Sequence, residues 1–534
     1  MSSSLLEKPQ TPSMERAPLP DATALENKFP VEWMLSSRAA LLTTMVGIVY
    51  FFFCLKPLHH TDLWGHLAYG QWIVSEGIPT TEPLMPLAKG MPWIDTAWLS
   101  QVILYGTSYQ FGVAGLQGLY ALTVACCAAC VVALAYRQTQ STLASVVSLA
   151  LFLWIDWFQL GVARPQLAAL AIFLLITVRT IDRAPSRFDW WGVPLLMAAW
   201  GNLHGSFLLG LVWLVVIAVG RAIDLVSRTG TLRSLSHDRR ALSWLLIAQL
   251  SAVAVLANPY GWGLYAEVFR VTGNANLTAL TEWQALTIRS LPGQIFMMIA
   301  VCLMLVYPLT PRRVRAWEPL VLIGLGLASL WSLRFMVWWA PVASLLLVVH
   351  ATAVLRRGKI AWPTVTTISG KWTVVTIGVI WIFFAYSPFG MRLIHHREPN
   401  LEKVLGPDTP LTAAAWLREH PPTGQIFNSY EWGDYLLWAG PPNLQVFVDS
   451  HAHLVPREVW QHYLQIVEQG TGWTDTLDKY SVNTIVLDTH FRGDLIKQLK
   501  KETQWKLRFE DKTAAIFTRV ESAASLKDES GSHT

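Results

Sequence analysis

Charge is scarce in this chain. Asp, Glu, Lys and Arg make up 14% of its 534 residues, against about 25% in soluble domains. With 53% hydrophobic residues, that shortage excludes a string of soluble domains, although the length would accommodate several. The net charge is only +5, and the Arg residues fall in short clusters between apolar runs. Such placement marks topology rather than a nucleic-acid footprint, so no nucleic-acid partner is expected. Cysteine is rare as well: Cys54, Cys126, Cys127, Cys130 and Cys302 all fall inside apolar runs, which leaves no disulfide framework for the polar C-terminal part. Cys126, Cys127 and Cys130 have no His or carboxylate neighbour, which argues against a zinc site. Residues 1–36 have no hydrophobic signal-peptide core; polar and rich in Ser and Pro, they read as a disordered cytoplasmic leader. The chain has neither an internal repeat nor a Gly-rich nucleotide fingerprint.

Long apolar runs are abundant. A span needs roughly 17–25 mostly apolar residues, and eleven runs qualify, near 38–56, 114–136, 141–158, 164–181, 189–203, 205–223, 242–258, 293–309, 317–333, 335–355 and 372–389. Residues 97–112 add an amphipathic segment, and the 27 Trp suit membrane–water interfaces. One set of loops holds sixteen Lys or Arg residues (Arg137 to Lys371), and the other holds Lys89, Arg164, Arg270, Arg289 and Arg334, with Lys56 at a span edge. The positive-inside bias puts the first set and the N-terminus in the cytoplasm. The same bias divides 189–223 into two helices turning at Asn202–Ser206, since one long helix would put Arg clusters on both sides. Eleven spans then place everything after residue 390 outside. The fold class expected is a polytopic α-helical membrane domain (37–390, outer loops 57–96 and 259–292), then a small extracytoplasmic α/β domain (391–520) and a disordered tail (521–534). In the α/β domain, helical patterns near 411–420, 456–469, 473–480 and 491–502 alternate with strand-like runs at 425–428, 446–449, 484–487, 506–510 and 514–518. That alternation predicts a mostly parallel sheet with a final hairpin.

The unusual polar residues gather on one side. Asp62 and His66, four residues apart just after the first span, share a helix face. Asp62 can take a proton from a hydroxyl nucleophile or cap its helix; both readings are open. Ionisable groups at a membrane turn are costly and hence functional candidates. Arg164 precedes Pro165, and Arg334 lies among Trp331, Trp338 and Trp339; either can hold a phosphate through paired N–H donors or snorkel from a helix end. Asn202 and His204 sit in a Gly-bounded turn, Tyr260 in Asn258-Pro259-Tyr260-Gly261, and Glu282 in the second outer loop. In the tail, Asp449, His451 and His453 follow a predicted strand; the His-x-His pair can ligate a metal, but no third ligand of defined spacing is visible.

The order of these motifs resembles the GT-C glycosyltransferases, which include protein O-mannosyltransferases and lipid A aminoarabinose transferases. Carrying the resemblance are the run from Asp62 to Gly70 continuing through Pro79-Thr80-Thr81-Glu82-Pro83, then Arg164-Pro165-Gln166, Trp200-Gly201-Asn202-Leu203-His204-Gly205, Asn258-Pro259-Tyr260-Gly261, Glu282-Trp283, and the tail from Asn428 to Asp449. It extends over about residues 38–520. It implies a multi-pass protein of the inner membrane and an inverting transfer from a polyprenyl-phosphate-linked sugar to a saccharide, lipid or protein acceptor at the extracytoplasmic face. No cofactor is implied beyond a divalent metal, which stays open. Asp62 would be the base, with His66 in support, and Arg164, His204 and Arg334 would hold the departing phosphate. Trp64 or Trp93 would stack on the sugar, and Asn202, Tyr260, Glu282 and Asp449 are further substrate-binding candidates. The group's second acid beside the first is absent, because position 63 is Leu; either Asp95 or Glu282 replaces it or one acid suffices. A lipid-linked-saccharide flippase would instead need polar groups along the spans through the midplane, which are nearly absent here. An inactive envelope scaffold would tolerate free exchange of the outer polar residues.

Overall fold

The computed structural model describes residues 30–59, 61–358 and 366–520. Most of the predicted leader (1–29) and all of the predicted tail (521–534) lie outside the described residues. The last leader residues are not free: strand β1 (Leu35–Ser36) pairs antiparallel with β2 (Ile368–Ser369).

A helix lies over each predicted span: Ser37–Cys54, Trp98–Thr139, Thr142–Ile155, Pro165–Thr180, Asp189–Leu203, Phe207–Thr229, Arg239–Val255, Leu291–Val306, Trp317–Trp331, Met336–Arg357 and Gly370–Ala385. Four described stretches are long and apolar enough to cross a membrane alone: Ser37–Cys54, Trp98–Thr139, Phe207–Thr229 and Leu333–Arg357. A fifth candidate is Gly370–Ala385 with Pro388–His395, bent by 84°. The chain is a multi-pass membrane protein.

Local chemistry sets the boundaries. Ser36 and Ser141 cap their helices by accepting from Ala39 and Ala144 N–H, satisfying donors that have no intrahelical partner. Pro165 opens its helix at the first position, where its missing N–H costs nothing. The amphipathic 98–111 segment runs into the next span through Gly112, whose φ of 60° is open to glycine and strained for other residues. The predicted turn at Asn202–Ser206 is present between Asp189–Leu203 and Phe207–Thr229.

Met336–Arg357 is the central helix. Every side chain from Met336 to His350 is buried, as expected of a helix apolar all round. Gly370–Ala385 buries only Thr373 and Thr376 and lies at the edge. Trp has a larger role than the interfacial one predicted. Trp200, Trp244, Trp338, Trp339 and Trp432 are among the largest fully buried side chains, and Trp200 stacks on Trp338 at 5.5 Å.

The tail forms a four-stranded sheet, ordered β3 (Ile426–Asn428), β4 (Thr484–Asp488), β6 (Ala514–Arg519), β5 (Trp505–Glu510). It is mixed rather than mostly parallel: β3 and β4 are parallel, while β4–β6 and the β5–β6 hairpin are antiparallel. The run 446–449, predicted as a strand, is not one. The Asn428 side chain takes the place of a backbone ladder, accepting from Phe447 N–H at 2.8 Å and donating to the Val448 carbonyl at 2.8 Å.

Two loops fix this domain to the bundle. Leu58 bridges Leu405. Asn276, from the second loop, donates to the Ala452 and Val455 carbonyls, and Asn274 to that of His453.

Candidate active site

Four of the predicted residues converge. Arg164 places Nε 2.9 Å from Asp62 and Nη1 2.5 Å from Glu282. The other Glu282 oxygen lies 3.1 Å from Arg334 Nη1, whose guanidinium covers the Trp283 ring at 4.8 Å. Asp62, Arg164, Glu282 and Arg334, from four separate segments, therefore form a chain of alternating charge. Asp62 heads the helix Leu63–Glu76, but its side chain caps nothing. The capping reading fails because Arg164 has taken the carboxylate.

His66 and His204 are half-buried beside this chain. Burial first, then His451 and Arg164, lowers His66 to about 3; burial, then Arg334 and His66, does the same for His204. Both are neutral at physiological pH. His204 Nδ1 accepts the Ser206 N–H at 3.1 Å, so the proton of the neutral ring is on Nε2. His204 can therefore hold a phosphate as an N–H donor but not as a cation.

Two candidates are committed elsewhere. Asn202 donates to the Ala198 and Ala257 carbonyls and accepts from Trp98 Nε1; its amide clamps helices together. Trp64 is 2% exposed, donates to the His59 carbonyl and meets Tyr435 edge-on, so it is not free to stack on a sugar. Trp93, equally buried, packs on Tyr69. Tyr260 keeps an unpartnered hydroxyl near Asp95, whose carboxyl burial raises to about 6.

The tail closes the site with the expected Asp449 and His451 and with Asp434 and Tyr430, which the sequence did not mark, against Tyr69 and Glu82 of the first outer loop. The helix Gly433–Ala439 packs on Leu63–Glu76 at Gly65, where a Cβ would lie 2.1 Å from Asp434 Oδ1. Burial, then the Asp449 and Asp62 carboxylates, pushes Asp434 well above the usual carboxylate range. Tyr69 OH bridges Glu82 at 2.9 Å and Asp449 at 3.0 Å. Burial and then Asp449 raise Glu82 to about 7, against the opposing His451 and the Met85 and Leu84 N–H groups. His451 stands 3.5 Å from Asp449. Burial alone would lower it, but Asp449, Asp434 and Glu82 raise it to about 10, so it is an imidazolium. Tyr430 is half-buried within reach of the Asp62 and Glu282 charges, and desolvation and those carboxylates keep its phenol protonated. Asp434, Asp449 and His451 bring ligand atoms within 4.8 Å of one another. Asp434 is the third group that spacing could not reveal, and His453 is not in the set.

No protein-family model and no curated relative matches this chain by sequence. Solved structures do match. The Archaeoglobus fulgidus oligosaccharyltransferase, solved tethered with an acceptor peptide, aligns over 91% of this chain and 74% of its own at 12% identity and a TM-score of 0.51. ArnT from Cupriavidus metallidurans in the apo state aligns over 90% and 97% at 13% identity and a TM-score of 0.50. The fold is GT-C-like. A GT-C-like membrane bundle with a small C-terminal sheet domain is the architecture expected from the motif order.

Proposed function

We propose that this GT-C-like protein transfers a sugar from a polyprenyl-phosphate donor to an acceptor hydroxyl or amine, inverting the anomeric centre, at the extracytoplasmic face of the inner membrane. The observation that carries the proposal is the charge chain Asp62–Arg164–Glu282–Arg334. Without substrate it is self-compensating. A donor phosphate entering beside Arg164 and Arg334 competes with the carboxylates for both guanidiniums and so releases Asp62. Asp62 then accepts the acceptor's proton while the acceptor atom attacks the anomeric carbon and the bond to the phosphate oxygen breaks. The lipid phosphate departs with that bond's electron pair, its growing charge met by Arg164, Arg334 and the His204 N–H. The protonated Tyr430 phenol and the Asp434 carboxyl bound the acceptor side. Asp434, Asp449 and His451 suit a divalent cation, which when bound would add positive charge near the transferred group in place of the His451 proton.

The test is transfer from radiolabelled polyprenyl-phosphate sugars in proteoliposomes, wild type against Asp62→Asn. Equal transfer by both would remove Asp62 from the mechanism. No transfer from any lipid-phosphate donor by the wild type would remove the enzyme reading.

A further inference from the structure

A second concentration of charge lies at the other end of the bundle. Pro165–Thr180 starts beside Arg164 and ends 16 residues later at Thr180, roughly 24 Å away at 1.5 Å per residue. There, Phe207–Thr229, Arg239–Val255 and Trp317–Trp331 surround a cavity of about 260 Å³ lined by Arg221, Arg228, Arg240, Arg313 and Arg315. These five line one hollow, with Arg228 exposed at its mouth and Arg240 half-buried in its wall.

Their pairing is incomplete. Arg221 takes Asp238 at 2.8 Å, Arg313 takes Asp224 at 3.2 Å, and Arg315 shares Asp182 with Arg312. Five guanidiniums thus line the cavity with only two carboxylates, Asp182 and Asp224. Among the described residues Arg228 and Arg240 have no carboxylate in ion-pair range, and Arg240 is half-buried. Gly220 brings one wall close: a Cβ there would lie 2.6 Å from Trp317 N, so the positive N-terminal end of Trp317–Trp331 sits against the cavity. The same three helices expose Val219, Ile223, Leu242 and Leu320, an apolar flank beside a cationic pocket.

We propose that this cavity binds the phosphate headgroup of an anionic phospholipid, held by Arg228 and Arg240 with its acyl chains along that flank. Basic pockets between membrane helices recognise anionic headgroups in this way, and two guanidiniums offer paired donors to phosphate oxygens. The site is separate from the Asp62 site and stands whether or not the chain is a transferase.

The full-length protein is purified free of lipid and titrated with phosphatidylglycerol, phosphatidylcholine or inorganic phosphate, with binding followed by native mass spectrometry and by melting temperature. Phosphatidylglycerol is expected to bind at least tenfold more tightly than phosphatidylcholine. Arg228→Gln with Arg240→Gln should abolish that preference, and Asp224→Asn, which frees Arg313, should increase it. The proposal fails if the two lipids bind equally, if the preference survives the double variant, or if inorganic phosphate reproduces the effect. Should the double variant not fold, Asp224→Asn decides alone, since an unchanged or weakened preference overturns the proposal.

Discussion

Asp62 lies 2.9 Å from Arg164 Nε, although it occupies a helix-start position where a carboxylate ordinarily accepts from first-turn N–H groups. The pairing separates catalysis from stability. Asp62→Asn keeps a side chain of the same shape and removes the proton-accepting charge. Transfer should fall by about 10²–10⁴, the usual contribution of a general base. The melting temperature should change much less than the activity, because Arg164 keeps Glu282 as its charged partner when Asp62 is neutralised. Parallel loss of fold and activity would contradict the assignment.

Glu282 competes with any phosphate for both Arg164 and Arg334. Glu282→Gln leaves the guanidiniums with a weaker, neutral partner. Free polyprenyl phosphate should then bind the variant more tightly, with about 1.4 kcal/mol for each tenfold change in Kd. Arg164→Ala with Arg334→Ala should weaken binding instead. Titration with the lipid phosphate reads both, and a tightening in the double Arg variant would exclude these residues from the phosphate site.

The members of the charge chain, though not their pairing, were legible in the sequence for a physical reason. Arg164 and Arg334 each interrupt apolar surroundings at a membrane turn, where an unneeded charge is costly, whereas Glu282 stands in a long loop where a carboxylate is ordinary. Asp434, Tyr430 and Tyr69 lie in amphipathic stretches where polar and aromatic residues are ordinary, so nothing local marks them. Tyr69 and Asp449 are 380 residues apart, a contact that only the docked tail creates. Asn202 is ambiguous in the sequence because a Gly-bounded turn permits ligand approach and close helix packing alike, and only its three partners show the packing. The run 446–449 has strand composition, but Asn428 bonds it through its side chain, which periodicity does not encode.

Gly65 is a point of close approach between the first-loop helix and the tail. Gly65→Ala puts a methyl group onto the Asp434 carboxyl, an overpacking that ordinarily costs about 1–3 kcal/mol. The tail should lose protection against limited proteolysis near Asp434 while the helical signal of the bundle is retained. Ala at Gly192, where nothing stands within 4 Å of an added Cβ, serves as the neutral control. Equal protease resistance in the two variants would show that the roof does not dock there.

Glu82 gives this interface a pH dependence of definite sign. Its folded pKa of about 7 lies above its ordinary value of 4.5, so protonation favours the folded state. The contribution is fully present below pH 4.5, declines through the window up to 7 and is absent above it. His66, His204 and His453, lowered to about 3, act oppositely: their contribution is present above 6.5 and lost as pH falls towards 3. A bare melting curve therefore mixes the two, and a variant separates them. Glu82→Gln removes the first and keeps the second. Between pH 5 and 8 the wild type should lose stability relative to Glu82→Gln, by about 3 kcal/mol at most at 1.36 kcal/mol per pKa unit. A difference that stays flat, or grows in favour of the wild type, would show that Glu82 is not held in its protonated form against Tyr69 and Asp449.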